Sequence, residues 1–314
     1  MKKWQIVLIV VLAVLIVMAC FFPTFIFNFL FKKPSRSTKV PKSYMETPLY
    51  KASVEGVTYM KTTDKVEDFY INSRDGLKLH GYFYPAPAAE DKSKPMKIVI
   101  GVHGYKSYSR PQYGPFIDFY HKMGYSMLAV DDRAHAPSEG KYIGFGVLDR
   151  LDCVDWAKYL VEKFGPNTEI LLHGISMGAA TVLAASGEAD LPPQVKGIIS
   201  DCGFMKAQDI LEYQMGGMKF LIPTLEKITE KKAGFNFHDF APIDQVKKAK
   251  APILFVQGGK DEMVPPYMVH ELYNACPTEK SLLFVDEAAH GESIAIAPEK
   301  YENAIIELFG LKAN

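Results

Sequence analysis

Cysteine is scarce. Cys20, Cys153, Cys202 and Cys276 are spread over 314 residues with no Cys-x-x-Cys pair, which leaves a zinc ribbon, a dithiol redox site and a disulfide framework without support. Net charge is missing too, with 36 Lys/Arg against 36 Asp/Glu. No arginine-rich run or zinc-finger spacing occurs, so there is no footprint for a phosphate backbone and no nucleic acid is expected as a partner. The patterns Gly-x-x-x-x-Gly-Lys-Ser/Thr, His-Glu-x-x-His and Gly-x-Gly-x-x-Gly are absent, which removes the basis for nucleotide, zinc and dinucleotide chemistry. Neither a cofactor nor a metal is therefore expected. Hydrophobic residues at 48 % and charged residues at 23 %, with no internal repeat, exclude a mostly disordered, collagen-like or coiled-coil chain.

What charge there is lies unevenly. Up to residue 65 there are ten Lys/Arg against Glu46, Glu55 and Asp64, so the front is +7 and the body −7. Trp4 to Phe31 carries no charge and Ile6 to Phe22 is apolar throughout. About 20 such residues cross a 30 Å hydrocarbon core, so residues 1–31 read as a transmembrane anchor bent near Pro23. A cleaved signal peptide behind the Lys2-Lys3 leader is the alternative, but the run exceeds the usual h-region of about 7–15 residues. Val17-Met18-Ala19-Cys20 loosely resembles a lipoprotein box, weakened by Met18 and by Phe21-Phe22. Lys32, Lys33, Arg36, Lys39 and Lys42 downstream outnumber the two upstream lysines, which by the positive-inside rule holds the body in the cytoplasm. The short leader argues for the opposite orientation. Residues 32–65, with Pro34, Pro41 and Pro48, read as a tether with a short helix near Leu49 to Tyr59.

From residue 66 to 314, strand-like runs alternate with helical spacing, the pattern of a mostly parallel sheet covered on both faces. Val66 to Asn72 and Leu77 to Tyr84 form a hairpin around Ser73-Arg74-Asp75-Gly76. Six further strands follow at Lys97–Val102, Tyr125–Val130, Glu169–His173, Val195–Ser200, Ile253–Gln257 and Ser281–Val285, eight in all. Helical spacing covers Gln112–Lys122, Leu148–Phe164, Met177–Ser186, Tyr267–Cys276 and Pro298–Phe309, with Leu148, Leu151, Val154 and Ala157 as the apolar stripe of the second. About fifty residues separate the strands ending near Asp201 and starting near Ile253, too many for an ordinary connection. Residues 204–245, containing Met205, Met215, Met218, Phe220, Leu221, Ile222 and Leu225, read as an inserted helical cap.

Between the strand ending at His173 and the next helix stands Gly174-Ile175-Ser176-Met177-Gly178. Glycines flank the serine because so tight a strand-to-helix reversal leaves no room for side chains, and Ser176 is left on a strained turn pointing outward. A serine hydroxyl needs a base to take its proton and a carboxylate to orient that base. Of eight histidines only His290 follows the last strand, in Asp286-Glu-Ala-Ala-His290-Gly291; His173 reads as structural. Asp261, in Gly258-Gly-Lys-Asp261-Glu-Met-Val-Pro265, follows the penultimate strand at the same sheet edge. Asp201, ending the strand after the elbow, is the rival acid. His103-Gly104-Tyr105 follows the strand Lys97–Val102, so the backbone N–H groups of Tyr105 and Met177 are the candidate oxyanion donors. Asp132 and Arg133 read as a loop-bracing ion pair.

The order Ser176, Asp261, His290, each after a strand, resembles the α/β-hydrolase fold over residue 66 to the end. Together with His103-Gly104-Tyr105, Asp132 to Gly140, Asp201-Cys202 and His290-Gly291, the chain resembles the membrane-anchored cell-surface serine hydrolases of Gram-positive bacteria, the serine aminopeptidase and lysophospholipase-like group. Ala136 stands where that group has glycine, and Gly259 where it commonly has an acid. The resemblance implies a serine esterase, and it tips the orientation towards a catalytic body outside the cell. The Met- and Phe-bearing cap suggests a small-molecule ester with an apolar acyl or aromatic group. An aminopeptidase on the same triad, or a non-catalytic surface interaction protein on a hydrolase scaffold, are the competing readings.

Overall fold

In the computed structural model, residues 2–34, 42–91, 93–135, 137–238 and 240–313 are described, apart from the side chains of 11, 13–20, 43 and 44. Arg36, Lys39, Ala136 and the side chains of Val17 to Cys20 thus lie outside the described residues.

Strands β1 (Glu67–Asn72), β2 (Lys78–Tyr84), β3 (Lys97–Val102), β4 (Ser126–Asp131), β5 (Glu169–Ile175), β6 (Val195–Asp201), β7 (Ile253–Gly258) and β8 (Lys280–Val285) form one sheet in the order β1-β2-β4-β3-β5-β6-β7-β8. β2 pairs antiparallel with β1 and β4, and every other pairing is parallel. The central strands are apolar on both faces, with β4 and β7 buried along their whole length, as parallel strands covered on two sides must be. After β3 the chain first adds β4 on one side, then crosses to add β5 on the other. The carboxyl ends of β3 and β5 therefore meet at a topological switch point, where open α/β sheets bind their ligands.

The longer helices are α1 (Lys3–Phe31), α2 (Pro48–Thr62), α3 (Asp149–Phe164), α4 (Met177–Ala185), α5 (Ala207–Met215), α6 (Ile222–Ala233), α7 (Tyr267–Ala275) and α8 (Pro298–Phe309). One core lies under α3 and α7, where Val154, Trp156, Leu160, Val269 and Leu272 cover Ile98, Ile100, Leu172 and Phe255. The core on the opposite face joins Met60 of α2 and Tyr301 and Ile305 of α8 to Val99, Leu171, Ile199 and Leu254. Along α3 the buried face is rotated from the predicted stripe. Cys153, Trp156 and Leu160 are buried beside Val154 and Ala157, while Leu148 and Leu151 are only half-buried. The large indole takes the place nearest the sheet. Helices α5 and α6, joined by the 3₁₀ turn Gly216–Leu221, lie over the carboxyl edge between β6 and β7.

The helix expected near Leu49 to Tyr59 is present within residues 32–65, slightly longer at both ends. Helix α2 starts at Pro48 behind the Thr47 cap, whose Oγ1 accepts from the Tyr50 N–H, and it lies against the body: Met60 is fully buried and its carbonyl accepts from the Tyr84 hydroxyl. Gly56 sits so close to the turn at Gly114 that a Cβ there would lie 1.8 Å from the Gly114 carbonyl oxygen. The end of α1 is docked too. Phe27 and Phe31 are fully buried among Tyr142, Phe145, Phe235 and Phe237, a burial worth about 3–6 kcal/mol for two such rings. Among the described residues no helix is long and apolar enough to cross a membrane; the side chains of 11 and 13–20, in the middle of α1, fall outside them.

Because α2 touches backbone at Gly56, Gly56→Ala should cost about 1–3 kcal/mol by overpacking, lowering Tm by several degrees in a thermal melt. An unchanged Tm would mean that α2 is not seated on the body.

Candidate active site

The elbow is built by two backbones in contact. A Cβ at Gly178 would lie 1.8 Å from the Val102 carbonyl oxygen, so only glycine lets the start of α4 cross the end of β3. Ser176, forced between β5 and α4, takes φ 58° and ψ −117°, a region costing a non-glycine residue about 1–3 kcal/mol. Its N–H donates to the Asp201 carbonyl at 2.8 Å, which pins the strained residue to the neighbouring strand and aims the hydroxyl out of the sheet.

Ser176, Asp261 and His290, far apart in the sequence, meet here. The Ser176 Oγ lies 2.8 Å from His290 Nε2, and His290 Nδ1 lies 2.8 Å from Asp261 Oδ2. Since Asp261 only accepts, Nδ1 carries the proton and Nε2 is the acceptor facing the serine. The carboxylate is itself fixed: Oδ1 accepts from the N–H groups of Met263 and Val264, and Oδ2 also accepts from the Gln257 amide at 3.0 Å. The aspartate side chain is fully buried, whereas that of His290 is 23 % exposed, so the imidazole can reach solvent water. The loops carrying Asp261 and His290 press together at Gly259, where a Cβ would meet the Asp286 carbonyl at 2.7 Å; an acid has no room there.

Asp201 lies elsewhere in the network. Its Oδ2 accepts from the Tyr301 hydroxyl at 3.0 Å, and it makes no hydrogen bond to His290. The Tyr301 oxygen in turn lies 3.1 Å from His173 Nε2, and the Tyr120 hydroxyl 2.9 Å from His173 Nδ1. Burial pushes His173 down to about 3, so it is a neutral bridge between two phenols. Burial likewise pushes the Asp201 carboxyl up to about 7, against the Tyr301 and His290 contributions.

The Asp132–Arg133 ion pair is not formed. Arg133 instead makes bidentate bonds to Asp152, at 2.7 Å, and to Asp75, at 2.9 and 3.2 Å. A guanidinium fork matches two carboxylates on separate elements better than its own chain neighbour, and the loop is braced to α3 and to the β1–β2 turn. Asp132 turns to His103, its N–H donating to Nε2 at 3.2 Å. Cys202 also lies by the site, its Sγ 3.9 Å from His290 Nε2; burial pushes that thiol well above its usual range, so it is un-ionised.

Among the described residues no acceptor is bonded to the N–H groups of Tyr105 and Met177. Met177 opens α4, where the helix dipole adds positive character. Both residues line an apolar cavity of about 320 Å³ that reaches Ser176 and His290, walled by Phe145, Phe204, Leu211 and Met215. Of the cap residues singled out in the sequence, Met215 and Met218 face this cavity, while Leu221, Ile222 and Leu225 pack the cap down. Ile26, Phe29 and Leu30 at the end of α1 also line the cavity; neither they nor Gln257 on Asp261 were foreseen, since nothing local distinguishes a wall residue within an apolar run.

This arrangement of switch point, elbow and convergent loops is that of the α/β-hydrolase fold. The model of the family described as serine aminopeptidase, S33, matches residues 93–239. The uncharacterized protein YqkD of Bacillus subtilis is 25 % identical over 244 residues, 76 % of this chain and 77 % of that one. An uncharacterized membrane protein of Saccharomyces cerevisiae, YNL320W, is 27 % identical over 170 residues, covering 53 % and 54 %. Among solved structures, the Pyrococcus furiosus esterase Pf2001 superposes with a TM-score of 0.65 at 24 % identity, covering 89 % of this chain and 97 % of that one. The Pyrococcus horikoshii acylaminoacyl peptidase does so at 0.57 and 20 %, covering 81 % and 44 %. The likeness to these structures shows the α/β-hydrolase fold.

Asp201 holds a proton in the folded state from about pH 4 to about 7, where the unfolded chain, with its carboxyl near 3.8, does not. Its contribution is therefore complete below pH 4 and lost as pH rises through 7. Asp201→Asn, always neutral, should narrow the difference in Tm between pH 5 and pH 8; an unchanged difference would show that Asp201 ionises normally.

Proposed function

We propose that the chain is a serine hydrolase of carboxylic esters. Ser176 Oγ attacks the acyl carbon while its proton passes to His290 Nε2, and Asp261 steadies the imidazolium that forms. The oxyanion is received by the N–H groups of Tyr105 and Met177, each worth roughly 3–4 kcal/mol in comparable sites. His290 then returns the proton to the departing alkoxide as the acyl C–O bond breaks. Water, deprotonated at the same nitrogen, attacks the acyl-enzyme and releases the acid and Ser176. This cycle needs no cofactor.

The observation that carries the ester reading over the aminopeptidase one is the lining of the cavity. Among the described residues no Asp or Glu lines it, so a free α-amino group finds no counter-charge, while an acyl chain finds Met, Phe and Leu side chains. The hydrogen-bonded series from Ser176 to Asp261 also argues against a retired scaffold.

A fluorophosphonate probe should label the wild type and not Ser176→Ala, and equal labelling of both would refute the assignment. With a short p-nitrophenyl ester, Asp261→Asn should lower kcat on the order of 10⁴-fold, against about tenfold or less for Asp201→Asn. The reverse ranking would make Asp201 the acid.

For location, we propose a single-pass anchor with the body on the outer face of the cytoplasmic membrane. The uncharged stretch before the docked end of α1, about 22 residues long, spans ~33 Å as a helix. Protease added to intact cells or protoplasts should digest the body without lysis. Protection until the membrane is breached would reverse the orientation.

A further inference from the structure

The last two turns of α1 take part in the site as well as in anchoring the chain. Ile26, Phe29 and Leu30 line the same cavity as Ser176 and His290, and they are held there from both sides. Phe27 and Phe31, on the adjoining face of the helix, are buried in the body. The last carbonyls of α1, which have no partner within a helix, are taken up by the loop after β3. The Tyr105 hydroxyl donates to the Leu30 carbonyl at 2.5 Å, and Lys106 Nζ to the Phe29 carbonyl at 2.6 Å. Tyr105 is the residue whose N–H is the proposed oxyanion donor, so the helix end and the reacting centre share one loop.

Phe29 is 66 % exposed although it lines the cavity, and Met218 and Met263 across from it are 43 % and 51 % exposed. The mouth thus presents exposed apolar side chains beside the amide of exposed Gln214 and the Lys106 ammonium that lies over the Phe29 ring. Beyond it α1 continues upstream through Phe25, Phe22 and Phe21, all exposed, into the uncharged run. An apolar surface thus leads without a break from the cavity along the helix.

Resting on the ester reading above, we infer that Ile26, Phe29 and Leu30 form the acyl wall of the Ser176 site, and that the ligand is a single aliphatic acyl chain laid along α1. At about 320 Å³ the cavity is at the lower end of small-molecule sites, which suits a single chain.

The test compares p-nitrophenyl octanoate with p-nitrophenyl acetate, using the full chain in detergent. Ile26→Ala, Phe29→Ala and Leu30→Ala should each lower the octanoate-to-acetate ratio of kcat/KM, and the triple variant by roughly tenfold or more, mainly through KM for octanoate. Leu30→Trp, which keeps buried volume at the joint and narrows the cavity, should shift the preferred chain to a shorter one. Val54→Ala, at an exposed apolar position of α2 away from the cavity, should leave the ratio unchanged. A ratio unmoved by the triple variant and by Leu30→Trp, or moved as far by Val54→Ala, overturns the acyl-wall assignment while the esterase reading stands. Turnover of neither ester by the wild type overturns both.

Discussion

The contact on which the site depends is the crossing of α4 over the end of β3, where Gly178 lies against the Val102 carbonyl. It sets how far Ser176 stands above the sheet, and it brings the first N–H of a helix beside the loop that begins at His103. Were the two backbones further apart, Ser176 would relax from φ 58°. The strain is offset by the hydrogen bond from Ser176 to Asp201 and by a helix buried along its whole length. His290 and Asp261 are then delivered to this fixed point by the ends of β8 and β7, whose loops touch at Gly259. Rigid strands place the chemistry, and the loops supply only the last few ångströms.

Much of this was legible in the sequence because it rests on local rules. The eight strands followed from apolar runs of strand length, the elbow from glycines two residues either side of a serine, and the order of Ser176, Asp261 and His290 from each following a strand. What escaped depends on contacts between segments distant in the chain. Arg133 pairing with Asp152 and Asp75 instead of its neighbour Asp132 is a choice made by the packing of α3, and periodicity says nothing about it. The rotation of α3 is similar: Trp156 outranks Leu148 and Leu151 because the space facing the sheet suits an indole. Gln257, buried within β7, reads as an ordinary strand residue until its amide is seen on Asp261.

The front of the chain shows the same limit more sharply. Its sequence describes residues 4 to 31 as one uncharged segment, yet in three dimensions Phe27 and Phe31 belong to the core of the body and Ile26, Phe29 and Leu30 to the cavity. A phenylalanine suits lipid, a protein interior and a substrate wall equally well, since all three reward removal of apolar surface from water. Composition cannot assign it among them. The helix at residues 48–62 was legible within the proline-bearing stretch, since Pro48 opens it at its first position, where its missing N–H costs nothing; its seating on the body was not.

The central claim is that Ser176 carries the acyl group between two half-reactions through His290 and the carboxylate of Asp261. The direct measurement is rapid acid quenching during turnover of a p-nitrophenyl ester, followed by intact-mass and peptide mass spectrometry. The account predicts a mass increase of one acyl group, placed on Ser176 in the fragment containing Gly174 to Gly178. An acyl group found on another residue, such as Cys202 beside the imidazole, or turnover with no acylated protein in the pre-steady state, would contradict it.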